Sequence, residues 1–175
     1  PAQLAANSKP ALMVLNDGLG YADPAGPVRA TAVLDSMIHA GEIPPTVGLF
    51  VMPGQPAAGA DEVAGGQRSF EYDSVTDTYV RFLTREVIPF AESSVGQPFA
   101  KDPAQRTIAG ISSGGICAFN AAWQDPSAFG RVLSHCGSFV NIRGGHNFPY
   151  LVKSTPAKPV RVFLTSGIRD ANIIV

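Results

Sequence analysis

Five short apolar runs, each closed by turn residues and separated by longer stretches, leave this chain few folds to choose from. They are "ALMVLND" (11–17), "TVGLFVM" (46–52), "RTIAG" (106–110), "GRVLSHCG" (130–137) and "PVRVFLTSG" (159–167). Runs this short and this continuously apolar read as strands buried on both faces. After the first, "VRATAVLDSMIHAG" sets Val28, Ala32, Val33 and Met37 at helical spacing and stops at Gly41. Prolines at 44, 45 and 53 bracket the second. In "DSVTDTYVRFLTREVIPFAESS", Val75, Tyr79, Phe82, Leu83 and Val87 form one apolar stripe; Ser74 and Asp77 are spaced as a capping box, and Pro89 should kink or end the helix. A helix from about Ser113 to Trp123 follows the third run. Strands joined by helical crossovers imply an α/β, three-layer domain over residues 1–175, with a mainly parallel central sheet and helices on both faces. In such sheets ligands bind beyond the carboxyl ends of the strands, where Asp17, Ser112 and Asp170 fall.

Composition narrows the partners. Thirteen basic against fourteen acidic residues leave a formal charge of −1, which argues against nucleic acid or an anionic membrane and for a small molecule. Cys117 and Cys136 are too few for a disulfide framework and are not spaced as a zinc site, so both read as buried thiols. No two histidines stand at helical ligand spacing around a carboxylate, and the glycines match neither a phosphate-binding nor a dinucleotide-binding frame, so no metal or cofactor is expected. No run reaches the length of a membrane span and no signal-like segment opens the chain, and neither fact assigns a compartment.

The third run leads into Gly110-Ile111-Ser112-Ser113-Gly114, a G-x-S-x-G frame with a strand before it and a helix after it. So tight a turn crowds its flanking positions, which glycine relieves, and pushes the central residue into strained backbone with its hydroxyl exposed. Ser112 is the expected nucleophile. The backbone N–H of Ser113, in the first helical turn, suits an oxyanion formed when Ser112 attacks a carbonyl. The plainer alternative is a helix start at which Ser112 or Ser113 only caps free N–H groups.

The stretch "RTIAGISSGGICAFNAAWQDPSAFGRVLSHCGSF" resembles the nucleophile segment of the enterochelin esterase branch of the α/β-hydrolase superfamily, which also includes feruloyl esterases and mycobacterial mycolyltransferases. "LMVLNDGLGY", "REVIPF" and "VFLTSGIRD" are similar, in order, to the family's Asp-Gly strand end, to the helix before the nucleophile strand and to the strand before the catalytic acid. The resemblance implies Ser112 as nucleophile, backbone N–H groups of Ser113 and Leu19 as oxyanion donors, and Asp170 as the acid; the plainer alternative for Asp170 is a loop aspartate capping a following helix, and Asp17 reads as a turn residue holding the oxyanion loop. It implies hydrolysis of a siderophore or carbohydrate ester through an acyl-enzyme. An acyltransferase would use the same residues, and a non-catalytic binding domain is the rival reading.

The superfamily order Ser, Asp or Glu, His calls for a histidine after the acid. His39, His135 and His146 all precede Asp170. His39 suits a helix C-terminus, His135 follows the fourth strand, and His146 in "GGHNF" is an ill-placed candidate base. The resemblance further suggests a domain incomplete at both ends, finished by another segment or by self-association, with open sheet edges that favour oligomers. Of the remaining polar residues, Arg68, Glu71, Tyr72 and Asp73 in "RSFEYD" suggest a helix start with an internal Arg-Glu pair, or a polar wall beside the substrate. Trp123 and Phe129 read as packing residues, and "NIRGGHNFPY" (141–150) as a substrate lip.

Overall fold

A computed structural model describes residues 4, 8–56, 65–168 and 170 of the chain. In chain order the elements are β1 (Ala11–Asn16), α1 (Gly18–Ala22), α2 (Ala30–His39), β2 (Thr46–Val51), α3 (Gly66–Tyr72), α4 (Thr78–Phe82), α5 (Ile88–Val95), β3 (Arg106–Ile111), α6 (Ser113–Gln124), β4 (Arg131–His135), α7 (Phe148–Ser154) and β5 (Arg161–Thr165). The five strands form one sheet in the order β2-β1-β3-β4-β5. Every pairing is parallel, but the expectation of strands buried on both faces does not hold for the outer two: β2 is half-buried throughout and β5 largely exposed, because each ends the sheet among the described residues. Crossovers carry helices to both faces, giving the expected α/β architecture.

Period-two alternation divides the core. Leu12, Val14, Ile108 and Val132 face one side of the sheet, where they pack with Tyr79, Val80 and Leu83 and with Cys117, Ala118 and Ala121 of α6. Leu15 and Ala109 face the other, against Tyr21 and Ala30. The small residues of α6 let it lie close over β3 and β4, and nine of its residues are buried. The apolar stripe read from sequence accounts for the buried Tyr79 and Leu83. Phe129 is fully buried, while Trp123 stacks on Phe119.

Several local expectations change. The loop after β1 contains the short helix α1, and "RSFEYD" lies mostly within α3. The capping box does not form: the Ser74 hydroxyl donates back to the Phe70 carbonyl, and Asp77 precedes α4 without a side-chain cap. Pro89 does not end its helix, because Leu83–Val87 adopts a π turn between α4 and α5, placing the proline in the first turn of α5. The helix runs on from the π turn, where Ile88 donates to the Leu83 carbonyl five residues back, so the missing proline N–H falls where the bonding pattern already shifts. Cys117 is buried, but Cys136 is partly exposed. Among the described residues no helix is long and apolar enough to cross a membrane. The edge strand β5 leaves Phe163 and Leu164 more than half exposed, at 56% and 58%.

Candidate active site

The parallel ladder ends β1, β3, β4 and β5 on the same side of the sheet, and the chemistry-bearing residues gather there. Ser112 sits between β3 and α6 with φ 58° and ψ −121°, a conformation L-residues rarely adopt. Its N–H donates to the His135 carbonyl at 3.0 Å, and its own carbonyl accepts from Gly115 and Ile116 at 2.9 and 3.1 Å. Backbone bonds on both sides therefore hold the strain. A Cβ on Gly110 would lie 2.1 Å from the Gly114 carbonyl oxygen, and one on Gly114 would lie 3.0 Å from Asp17 Oδ2. Gly115 is equally constrained, since its Cβ would fall 3.0 Å from both the His135 carbonyl and Ser134 Oγ. The G-x-S-x-G frame does not include this third glycine. The N–H of Ser113, at the first position of α6, lies outside the helix's own bonding, which begins with Gly115 donating to Ser112.

The loop after β1 abuts this turn. Asn16 is fully buried; its amide donates to the Gly114 carbonyl at 3.0 Å and its oxygen accepts from the Tyr79 hydroxyl at 2.8 Å. Asp17 follows in left-handed backbone, φ 57°. Its carboxylate takes a bidentate pair from Arg68, Nε and one terminal nitrogen each at 2.8 Å. Its N–H donates to the Tyr72 hydroxyl at 3.2 Å. Leu19 is exposed, and its N–H donates to Met52 Sδ at 3.4 Å, a weak acceptor.

Arg68 thus corrects the expected internal pair. Its partner is Asp17, 51 positions away, while Glu71 accepts the Gly54 N–H at 3.0 and 3.2 Å and the Gln67 amide at 2.6 Å. Positions 68, 71 and 72 share one face of α3 because helical side chains align at i, i+3 and i+4. That face therefore holds two loops at once: Asp17–Leu19 through Arg68 and Tyr72, and Met52–Gly54 through Glu71. The Asp17 hydrogen bonds raise the Arg68 pKa, and burial raises those of Tyr72 and Tyr79, keeping the guanidinium charged and both phenols neutral.

Asp170 lies past β5, where its N–H donates to the Gly167 carbonyl at 2.9 Å and its Oδ2 accepts from the Ser166 hydroxyl at 3.3 Å. The carboxylate also meets the Cys136 thiol, whose pKa is raised first by that hydrogen bond. Burial raises that of Cys117, which suits an inert thiol. His135 Nδ1 lies 2.8 Å from Thr165 Oγ1, and its ring meets Phe163 edge-on. His39 is exposed in the last turn of α2. His146 is exposed in a short 3-10 turn, Gly145–Asn147, before α7. The partner of Ser112 Oγ is instead Ser138 Oγ, at 3.2 Å. Sequence reasoning passed over both Ser138 and Asn16. Their signal was available: each stands at or just beyond the carboxyl end of a strand, the rule that singled out Asp17, Ser112 and Asp170. In the 141–150 segment, the Arg143 guanidinium stands over the exposed Phe70 ring of α3, 5.4 Å from its centre.

Residues 1–169 match the model of the Esterase family, described as "Putative esterase". The iron(III) enterobactin esterase of Escherichia coli K12 is 32% identical over 170 residues, covering 93% of this chain and 38% of that protein. That of Dickeya dadantii is 32% identical over 128 residues, covering 73% of this chain and 26% of that protein. The crystal structure of ferric enterobactin esterase from Salmonella typhimurium superposes with a TM-score of 0.71 at 26% identity, over 95% of this chain and 40% of that one. The chain spans 26% to 38% of the length of these two sequence relatives. With a match over nearly all of its residues, the chain belongs to the Esterase family.

Proposed function

We propose that this chain carries the nucleophile, the oxyanion donors and the acid of a serine carboxylic ester hydrolase. The observation that carries the reading is Ser112 itself, held at φ 58°, ψ −121° between a parallel strand and a helix N-terminus. Such strain persists only where the surroundings over-determine it, and it clusters at catalytic positions. In the reaction, Ser112 Oγ bonds to the ester carbonyl carbon while its proton passes to an imidazole base. The N–H groups of Ser113 and Leu19 hold the carbonyl oxygen as it becomes anionic. The C–O bond to the leaving alcohol then breaks, the alcohol takes the proton, and water releases the acyl group from Ser112 by the reverse sequence. Asp170 orients the base, which follows it in the superfamily order. The names of the relatives, enterobactin esterases, support a siderophore-type ester as the substrate.

Labelling the full-length protein with a fluorophosphonate probe, followed by peptide mass spectrometry, tests the reading. Modification is expected at Ser112, and Ser112→Ala is expected to lower p-nitrophenyl acetate turnover by about 10⁴-fold or more. His146→Gln is expected to leave turnover within twofold, since the base lies elsewhere. Unchanged turnover in Ser112→Ala sinks the reading.

A further inference from the structure

Ser138 lies three residues beyond β4 and is 4% exposed. Two bonds tie it to the elbow: its N–H donates to the Ser112 carbonyl at 3.2 Å, and its Oγ stands 3.2 Å from Ser112 Oγ. Neighbouring packing fixes its position. A Cβ on Gly137 would come within 2.6 Å of the Phe139 ring and 2.7 Å of Ser134 Oγ, and one on Gly145 would come within 3.1 Å of the Ser138 carbonyl. Phe139 is itself pinned edge-on to Phe119 and Phe148. The Ser138 hydroxyl is therefore held at the nucleophile from both its backbone and its surroundings. The 3.2 Å separation is long for two hydroxyls, a length common for catalytic hydrogen bonds before substrate tightens them.

Resting on the reading of Ser112 as nucleophile, we propose that Ser138 orients the Ser112 hydroxyl by donating its O–H to Ser112 Oγ. A hydroxyl has one proton to give. If Ser112 spent its proton on Ser138, none would point at the base; with Ser138 as donor, the Ser112 proton is directed outward and a lone pair stays free for the carbonyl carbon. When the imidazole removes that proton and the O–C bond forms, Ser138 keeps its own proton and remains a donor to the same oxygen. In deacylation the Ser112 Oγ–carbon bond breaks and the proton returns from the imidazole. The oxygen that carries developing charge is again the one Ser138 faces, and Ser138 has neither gained nor lost a proton.

The test combines steady-state kinetics on p-nitrophenyl acetate, the rate of fluorophosphonate labelling at Ser112 and a thermal melt, all on the full-length protein. Ser138→Ala is expected to lower kcat and the labelling rate together by about tenfold, the worth of one hydrogen bond made to the reacting oxygen. KM is expected to stay within twofold and the melting temperature close to that of the parent, and Ser138→Cys is expected to recover part of the loss. Labelling and kcat at parental values in Ser138→Ala overturn the inference while leaving the nucleophile assignment intact. A loss of kcat that tracks a fall in melting temperature and is not recovered by Ser138→Cys assigns Ser138 to folding, and also overturns it. Failure of the unsubstituted protein to label at Ser112 overturns both readings.

Discussion

At the scale of single residues, the elbow turns on space measured in tenths of an ångström. A side chain at Gly110 would meet the backbone of Gly114 at 2.1 and 2.2 Å, and backbone cannot swing aside as a side-chain tip can. Gly110→Ala is therefore expected to cost about 3 kcal/mol or more, read as a lower urea midpoint. Gly20→Ala is the control, because nothing lies within 4 Å of its added methyl; its effect is expected to stay within about 0.5 kcal/mol. The motif identified the tight glycines at 110 and 114 by pattern. It missed Gly115, whose constraint comes from His135 and Ser134 on the neighbouring strand β4. Ser138 escaped for a related reason: its hydroxyl acquires meaning only when the end of β4 is laid beside the end of β3.

At the scale of elements, α3 works as a clamp on the Asp17–Leu19 loop, where the proposed oxyanion donor stands. Asp17 pays for its left-handed backbone through the bidentate Arg68 pair and the Tyr72 hydroxyl, and Glu71 holds the segment whose Met52 faces Leu19. On the proposed role of the Leu19 N–H, which would be needed most as the oxyanion forms, Arg68→Met is expected to lower kcat about tenfold with little change in KM. Stability should fall by only about 1 kcal/mol, since both side chains of the pair reach solvent. Arg68→Lys should not restore kcat, lacking the planar fork that matches a carboxylate. Esterase kinetics beside a thermal melt check all three outcomes. The helix stripe of Tyr79 and Leu83 was readable from 3.6-residue periodicity. The clamp was not, because an arginine three positions before a glutamate looks like a local pair until a more rigid partner is brought to it.

At the scale of the molecule, buried tyrosines on both faces of the sheet couple the core to alkaline pH. Burial raises the Tyr21 phenol from its ordinary 10.0 to about 12, and burial also raises Tyr72 and Tyr79 on the opposite face. A folded-state value above the unfolded one makes the protonated phenol stabilising. That stability is complete below pH 10, where both states keep the proton, and is lost as pH rises toward 12, because the unfolded chain ionises first. Urea midpoints are expected to hold level up to about pH 9 and to fall steeply beyond pH 10, and Tyr21→Phe is expected to flatten part of that fall. A midpoint that is flat through pH 11 in the parent contradicts this account.

The sequence by itself determined five strands, the helices α2, α4–α5 and α6, and the strand-to-helix turn at Ser112, and its resemblance over nearly the whole chain pointed to the family. The elements rest on short-range physics: short continuous apolar runs for the strands, periodicity along a helix, and the crowding of the five-residue turn Gly110–Gly114. Only the tertiary structure decided which polar group meets which. Asn16 meets Gly114 across 98 positions, Asp17 meets Arg68 across 51, and Ser112 meets Ser138 across 26. The first of these follows from a sheet order, β2-β1-β3-β4-β5, that departs from chain order. It sets the end of β1 beside the end of β3, and that juxtaposition is a property of the packed sheet that no local pattern encodes.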